Sequence, residues 1–276
     1  MIELPEAHIL SAQLNETVVG KTILQVTVDA SPHKFAWYSG DSAAYRLMLV
    51  GKKITAVNAG TGHTCGGNIE IICEDMLLVI STPIRFHAKG ESLPKKHQLL
   101  IEFSDDDALS CTVQMWGAML CTSLSCVEIP SYKVNKAPTP LDPNFTREYF
   151  FELLSSCKQS LSAKAFLATE QRIPGLGNGV LQDILFNASI HPKRKLESLS
   201  ENEKEVLFES TVDTITQMVK NGGRDTERDL FGSHGGYKTK LSAKTIAKPC
   251  PNCLGTFVRQ AYLGGNVYFC PSCQKI

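Results

Sequence analysis

Two Cys-x-x-Cys pairs carry the strongest chemical signal in the chain. Cys250 pairs with Cys253 and Cys270 with Cys273, with sixteen residues between the pairs. A two-residue gap in a tight turn lets two thiolates bind one metal ion, and a hairpin brings the second pair alongside. Four thiolates satisfy one tetrahedral zinc ion and leave no open position, so a structural zinc is expected. Thr256 to Tyr262 reads as a strand, Leu263-Gly264-Gly265-Asn266 as a glycine turn, and Val267 to Phe269 as a second strand. Two disulfides or a redox dithiol are the alternatives. No secretory leader is read in the opening residues, so a reducing compartment is expected, which favours the metal.

A second candidate is Pro174-Gly175-Leu176-Gly177-Asn178, which opens onto a helical run from Gly179 to Phe186. Backbone N–H groups at a helix N-terminus can hold a phosphate, and glycine lets it approach closely. Taken alone, the same residues fit a tight interhelical turn. At the start of the chain, Glu3 and Glu6 flank Pro5 ahead of a helix expected to run from Pro5 to Leu14 or beyond. Acids suit that end of the macrodipole, so both also read as helix decoration.

Lys+Arg and Asp+Glu each total 28, so the net charge is zero, which argues against a generic polyanion binder. The distribution is uneven. From Lys220 to Ile276 nine Lys/Arg face three acids, which marks either a solvated surface or one that faces phosphates. The six other cysteines (65, 73, 111, 121, 126 and 157) have no metal-ligand spacing. No apolar run approaches the roughly eighteen residues of a membrane span.

The elements that must position these groups fall into blocks. Residues 18 to 126 alternate and break at Gly, Asp and Pro clusters, as an antiparallel sandwich or barrel does. The β-rich runs are Lys21–Val28, Ala44–Val57, Asn68–Cys73, Met76–Ile80, Gln98–Phe103 and Ala108–Leu120. The prolines at 130, 138, 140 and 143 mark a linker. Helices are expected over Thr146–Leu161, Ala163–Glu170, Gly179–Phe186 and Glu201–Asn221. Gly222 to Lys248 is polar and basic and reads as a mobile loop.

Four local features stand in order: Glu-Leu-Pro-Glu at 3–6, Gly-Leu-Gly-Asn at 175–178, Ile-His-Pro at 190–192, and the finger ending Tyr-Phe-Cys-Pro-Ser-Cys-Gln. Together they resemble the formamidopyrimidine-DNA glycosylase / endonuclease VIII family across the whole chain. The resemblance implies an α+β multidomain fold. Its parts are an antiparallel β-sandwich with flanking helices over 1–130, a linker over 131–143, a helix–two-turn–helix domain over 144–246 and a four-cysteine zinc finger over 247–276. It implies double-stranded DNA with a damaged base or abasic site as partner, a monomer, and a cytoplasmic, nucleoid-associated location. By resemblance Glu3 shuttles protons at the sugar, Glu6 positions the N-terminus, and Lys52 (or Lys53) contacts DNA near the lesion. DNA contacts are carried over to Gly175, Gly177 and Asn178, and to His97, while Arg259 and Lys248 are further phosphate-contact candidates on the finger.

Three departures change what is expected. The family attacks the sugar with an N-terminal proline amine, and Ile2 stands in its place. A bulky second residue is expected to retain Met1, whose amine then lies up to about 3.3–3.6 Å further out. That is comparable to the whole attack distance of about 3–3.5 Å. The strand that presents an arginine and a phenylalanine to fill the emptied duplex reads Thr112-Val113-Gln114-Met115-Trp116, so Met115 and Trp116 are the wedge candidates. Gly265 stands where the finger arginine is expected. The expected activity is a DNA glycosylase that flips and excises a damaged base, with AP lyase chemistry altered or lost. The alternatives are a non-catalytic reader of damaged DNA and, from another class, a zinc-bearing RNA or protein-interaction module.

Overall fold

The computed structural model describes residues 2–60, 64, 67–126 and 137–276. Met1, Cys65 and the linker residues 130–136 therefore lie outside the described residues. The chain forms two compact units, Met1–Lys136 with Glu227–Gly235, and Ala137–Thr226 with Gly236–Ile276.

The first unit opens with α1 (Leu4–Val18), with Pro5 in its first turn. Ala7, Leu10, Leu14 and Val18 recur at helical spacing and are buried in the core. Eight-residue alternation gives β1 (Ile23–Val28), followed by β2 (Ala36–Tyr38). The run from Ala44 to Val57 does not form one strand. It folds as a short 3-10 turn, α2 (Tyr45–Leu49) and then β3 (Ile54–Ala59). Asp41 caps the turn through the Ala43 N–H, and the buried Tyr45 hydroxyl donates to the Met119 carbonyl at 2.9 Å. These tertiary bonds override the β pattern.

The unit continues through β4 (Ile69–Cys73), β5 (Met76–Ile80), β6 (Ile84–His87), β7 (Leu99–Phe103), β8 (Ala108–Cys111) and β9 (Gly117–Ser123). One sheet has the order β1-β7-β8-β6, and the other β2-β9-β5-β4-β3. All pairings are antiparallel except β2 with β9, which is parallel. The expected run from Ala108 to Leu120 is broken. Residues 112–116 are an irregular crossing from one sheet to the other, so the wedge candidates sit on a loop, not a strand. The edge strand β3 is covered by α1, where the Asn15 side chain accepts from the Val57 N–H at 3.1 Å.

Leu230, far downstream in the chain, completes this core and is fully buried. Its carbonyl accepts from the Phe86 N–H at 2.9 Å, and its N–H donates to the Gln13 side chain at 3.0 Å. The polar stretch from 222 to 248 is thus built from hydrogen-bonded turns, with Asp229–Phe231 hooked into the sandwich.

The second unit holds α3 (Arg147–Ser156), α4 (Ala163–Ala168), α5 (Val180–Asn187) and α6 (Glu201–Lys220). Thr146 and Ser162 cap α3 and α4, and Ser200 with Glu203 forms a capping box on α6. Phe150 packs on Phe166 at 5.4 Å and on Phe208 at 5.5 Å in the helical core. The unit ends in the hairpin of β10 (Val258–Tyr262) and β11 (Gly265–Phe269). Phe186 of α5 packs with Phe257, Tyr268, Cys250 and Cys270, so the finger shares a small core with the helices. Among the described residues no helix is long and apolar enough to cross a membrane.

Candidate functional site

The four cysteine sulfurs lie within 4.8 Å of one another. Across the pairs, Cys253 approaches Cys270 at 3.5 Å and Cys250 approaches Cys273 at 3.8 Å. A disulfide needs about 2.05 Å, whereas a tetrahedron of Zn–S bonds near 2.3 Å has edges of about 3.8 Å. The donor set and spacing fit one metal ion. The Gly255 backbone and the neighbouring cysteines hold the Cys253 thiol down at about 7, while the hydrogen bond with Cys253 pushes the Cys273 thiol up to about 12, so the negative charge of the cluster gathers on Cys253.

The hairpin is pinned to the helices by side chains. Asn178 donates from its Nδ2 to the Asn266 carbonyl at 3.0 Å. Gln182, almost wholly buried, donates to the same carbonyl at 3.1 Å and accepts from the Tyr268 N–H at 3.0 Å. Lys164 donates to the Tyr262 carbonyl at 2.6 Å, and burial pulls its pKa down. Gln274 accepts from the Cys270 N–H and donates to the Ile190 carbonyl, each at 2.9 Å. The His191 ring meets Phe269 at 4.3 Å. The Ile-His-Pro segment and the glutamine after the last cysteine are therefore partners in one contact. Asp183 is buried and accepts from the N–H groups of Lys240 and Leu241, which fixes the chain on its way to the finger.

The Gly175–Asn178 turn abuts this hairpin. Gly175 has φ +78°, a conformation that suits glycine, and its N–H donates to the Gln171 side chain at 3.0 Å. Arg172 closes the preceding helix by donating to the carbonyls of Ala165 and Thr169. A Cβ on Gly265 would meet the Asn178 side chain at 3.4 Å, so Gly265 lies directly against the turn. Gly265 is the first residue of β11, and the two-residue turn itself is Leu263-Gly264. Arg259 is exposed on β10.

At the other candidate pole, in the first unit, Ile2 is buried and its N–H donates to the Ser81 carbonyl at 3.1 Å. Glu3 is half-buried at the N-cap of α1, and Glu6 is buried one turn on. Ser81 binds Ala118 in both directions, its N–H at 2.9 Å and its Oγ at 2.8 Å, which brings the start of β9 to the same end of the sheet. The 112–116 loop thus ends beside Ile2, with Met115 79% and Trp116 38% exposed. A Cβ on Gly117 would lie 2.6 Å from the Thr82 Cβ, so only glycine fits this junction.

Lys52 does not join this group. It forms an ion pair with Asp75, which raises its pKa, in the turn before β5. Ser81 follows the far end of β5, and six residues of strand separate the two by about 20 Å. Lys53 is at the same far end, its N–H on the Glu74 side chain. His97 has its Nδ1 on the Pro94 carbonyl at 3.0 Å, and its Nε2 is buried rather than presented to solvent. Gln98 beside it had no motif to mark it. It is buried, donates to the Ser31 carbonyl at 2.6 Å and accepts from the Val113 N–H at 2.7 Å.

A curated formamidopyrimidine-DNA glycosylase of Listeria innocua is 32% identical over 285 residues, covering 100% of both chains. The chain belongs to the formamidopyrimidine-DNA glycosylase family. The enzyme of that name from Bacillus cereus is 27% identical, with 99% of each chain covered. The model of the formamidopyrimidine-DNA glycosylase H2TH domain matches residues 137–229, which include the Gly175–Asn178 turn. The fold agrees with that of Lactococcus lactis Fpg, solved in complex with an abasic-site DNA. The TM-score is 0.81 at 22% identity, covering 99% of this chain and 100% of that one. MutM (Fpg) of Thermus thermophilus superposes with a TM-score of 0.78 at 22% identity, covering 99% and 98%.

Proposed function

We propose that this family member is a DNA repair glycosylase that binds duplex DNA at a damaged base or abasic site. It extrudes the nucleotide and cleaves the N-glycosidic bond by hydrolysis rather than by amine attack. The observation that carries the hydrolytic route is the Ile2 nitrogen. Its N–H donates to the Ser81 carbonyl, and with Met1 retained it is a peptide amide whose lone pair is delocalised into the adjoining carbonyl. It cannot form a Schiff base with the sugar.

Glu3, half-buried beside it, is the general base. Its carboxylate takes a proton from water as the water oxygen bonds to the anomeric carbon. The glycosidic C–N bond breaks, its electron pair leaves with the base, and the proton that Glu3 took from water passes to the departing base. Glu6 holds the first turn of α1 in place. Met115 and Trp116 enter the emptied stack. In the second unit the N–H groups of Gly177 and Asn178, with Arg259, face the phosphates. Cys250, Cys253, Cys270 and Cys273 hold one structural zinc, which supplies a rigid cross-link for the hairpin. Lys52 is left out of this machinery.

Borohydride trapping on abasic-site duplex, run beside a base-release assay, tests this function. The expected result is no covalent adduct, with base release that Glu3→Gln lowers by about 100-fold or more. A trapped adduct overturns the hydrolytic route, and mass mapping would identify the amine, that of Met1 included. Tight abasic-site binding with no base release would instead make the chain a reader of damage.

A further inference from the structure

A group of exposed aromatic side chains lies outside the machinery just described. Phe35 is 46% exposed and Trp37 is 55% exposed. Trp37 lies on the edge strand β2, and Phe35 is in the turn just before it, where the Ala36 N–H donates to the His33 carbonyl at 2.9 Å. Ala36 and Tyr38, between and after them, pack against the core. The strand is therefore well anchored while two large rings, one on it and one beside it, stay exposed. Single exposed apolar residues are ordinary, but paired rings at a braced strand are not.

The surroundings are basic. Residues 30–40, 92–98 and 112–116 hold three lysines and two histidines and no acid, and Asp29, Asp41 and Glu91 stand at their borders. Lys34 places its Nζ 5.4 Å from the centre of the Phe35 ring, and His33 meets the same ring at 6.3 Å. The three segments are joined through Gln98. Its side chain links Ser31 to Val113, and its carbonyl accepts from the Tyr38 hydroxyl at 3.1 Å. The patch is continuous with the wedge loop, because the Phe35 carbonyl accepts from the Gly117 N–H at 3.1 Å.

We propose that Phe35 and Trp37, flanked by Lys34, form a stacking surface for unpaired bases of the DNA next to the lesion. The inference rests on the DNA-binding function proposed above and extends it from the wedge to its neighbour. Rings at a rigid strand accept any base on their faces, and lysines beside them neutralise the connecting phosphates. Once Met115 and Trp116 open the stack, the displaced bases meet Phe35 and Trp37. The surface gives the protein a preference for abasic sites in bubbles or gaps over those in fully paired duplex.

The chain has two tryptophans, Trp37 and Trp116. In a Trp116→Phe background Trp37 is the single indole emitter. Titration with an abasic duplex carrying a three-base bubble should quench its emission, and oligothymidine should do so more weakly. Phe35→Ser with Trp37→Ser should lower affinity for the bubbled duplex by roughly tenfold or more while the fully paired abasic duplex loses less than about threefold. Both residues are exposed, and an unchanged melting midpoint confirms that the double variant folds.

Binding of the bubbled duplex with silent Trp37 emission overturns the inference and leaves the proposed function intact. Equal losses for bubbled and paired duplex also overturn it. A Trp37 signal that tracks protein concentration without DNA replaces it with self-association. Failure of the wild-type chain to bind any abasic duplex removes the proposed function itself.

Discussion

The finger end and the N-terminal end of this chain hold their key groups by different means. At the finger, side chains do the holding. Four cysteine sulfurs converge, and Asn178, Gln182, Lys164 and Gln274 each bond a backbone group of the hairpin or its neighbours. At the N-terminus the backbone does it, through Ile2 on Ser81 and Ser81 on Ala118. A hairpin held by side chains outside residue 265 can take a change at the half-buried Gly265 and keep its shape. A terminus held by backbone keeps its shape when the Ile2 side chain is exchanged. Each end therefore has a frame that does not depend on the residue at its tip, by opposite routes.

The largest expected effect breaks the finger outright. A structural zinc in a four-thiolate site contributes an apparent 10 kcal/mol or more to folding of its module. Chelation, or Cys273→Ser, should release one zinc per chain, unfold the hairpin and weaken abasic-duplex binding by at least about 100-fold. Metal analysis alongside DNA titration reads both. Affinity unchanged after complete zinc loss would mean that the finger takes no part in binding.

A smaller perturbation separates the metal from the side-chain frame. Gln182→Ala leaves the Tyr268 N–H without its partner in a buried position. Each such group costs about 1–3 kcal/mol. Zinc content should stay at one per chain while the melting midpoint of the second unit falls and DNA affinity drops. A variant as stable as the parent would show that the metal alone fixes the hairpin.

These contrasts also explain what was legible beforehand. Cysteine spacing, the Gly175 turn and the helical periods after Thr146 and from Glu201 are local signals, and all leave a mark in a short window of sequence. Gln98, Gln182 and Asp183 act on backbone groups remote in the chain, so no periodicity or motif announces them. The helix at Tyr45–Leu49 was hidden for the same reason, since the Tyr45 hydroxyl bonds Met119 across the sheet. Lys52 matches the family's β-domain lysine by resemblance alone. Its place at the Asp75 end of β5, opposite Ser81, depends on strand pairing, which the residue pattern did not fix. The Leu230 hook is invisible to any local reading of a polar loop.

Placing a cation at the start of β11 sharpens the comparison by changing a single residue beside the turn. The Gly265 φ is outside the left-handed region, and an added Cβ meets Asn178 at an ordinary contact distance of 3.4 Å. Gly265→Arg should therefore fold. It should tighten abasic-duplex binding by about tenfold at low salt and steepen the dependence of log affinity on log salt by about 1. An unaltered salt slope would place residue 265 away from the phosphates.

The smallest effect concerns the hairpin turn. Leu263 has φ +46° and Gly264 φ +71°, so the two-residue loop has both central residues in the left-handed region. Such a loop matches the twist of the flanking strands and favours Asn-Gly. A leucine there carries a penalty of about 1 kcal/mol from its Cβ, and it is half exposed, so little burial compensates. Leu263→Asn should stabilise the hairpin by up to about 1 kcal/mol. The gain is best read as slower zinc release to a chelator, since the metal otherwise masks it in thermal melts. Faster release would mean that the leucine packs on something the turn geometry does not require. In that case the finger, too, would owe part of its shape to the residue at its tip, and the contrast with the backbone-held N-terminus would narrow.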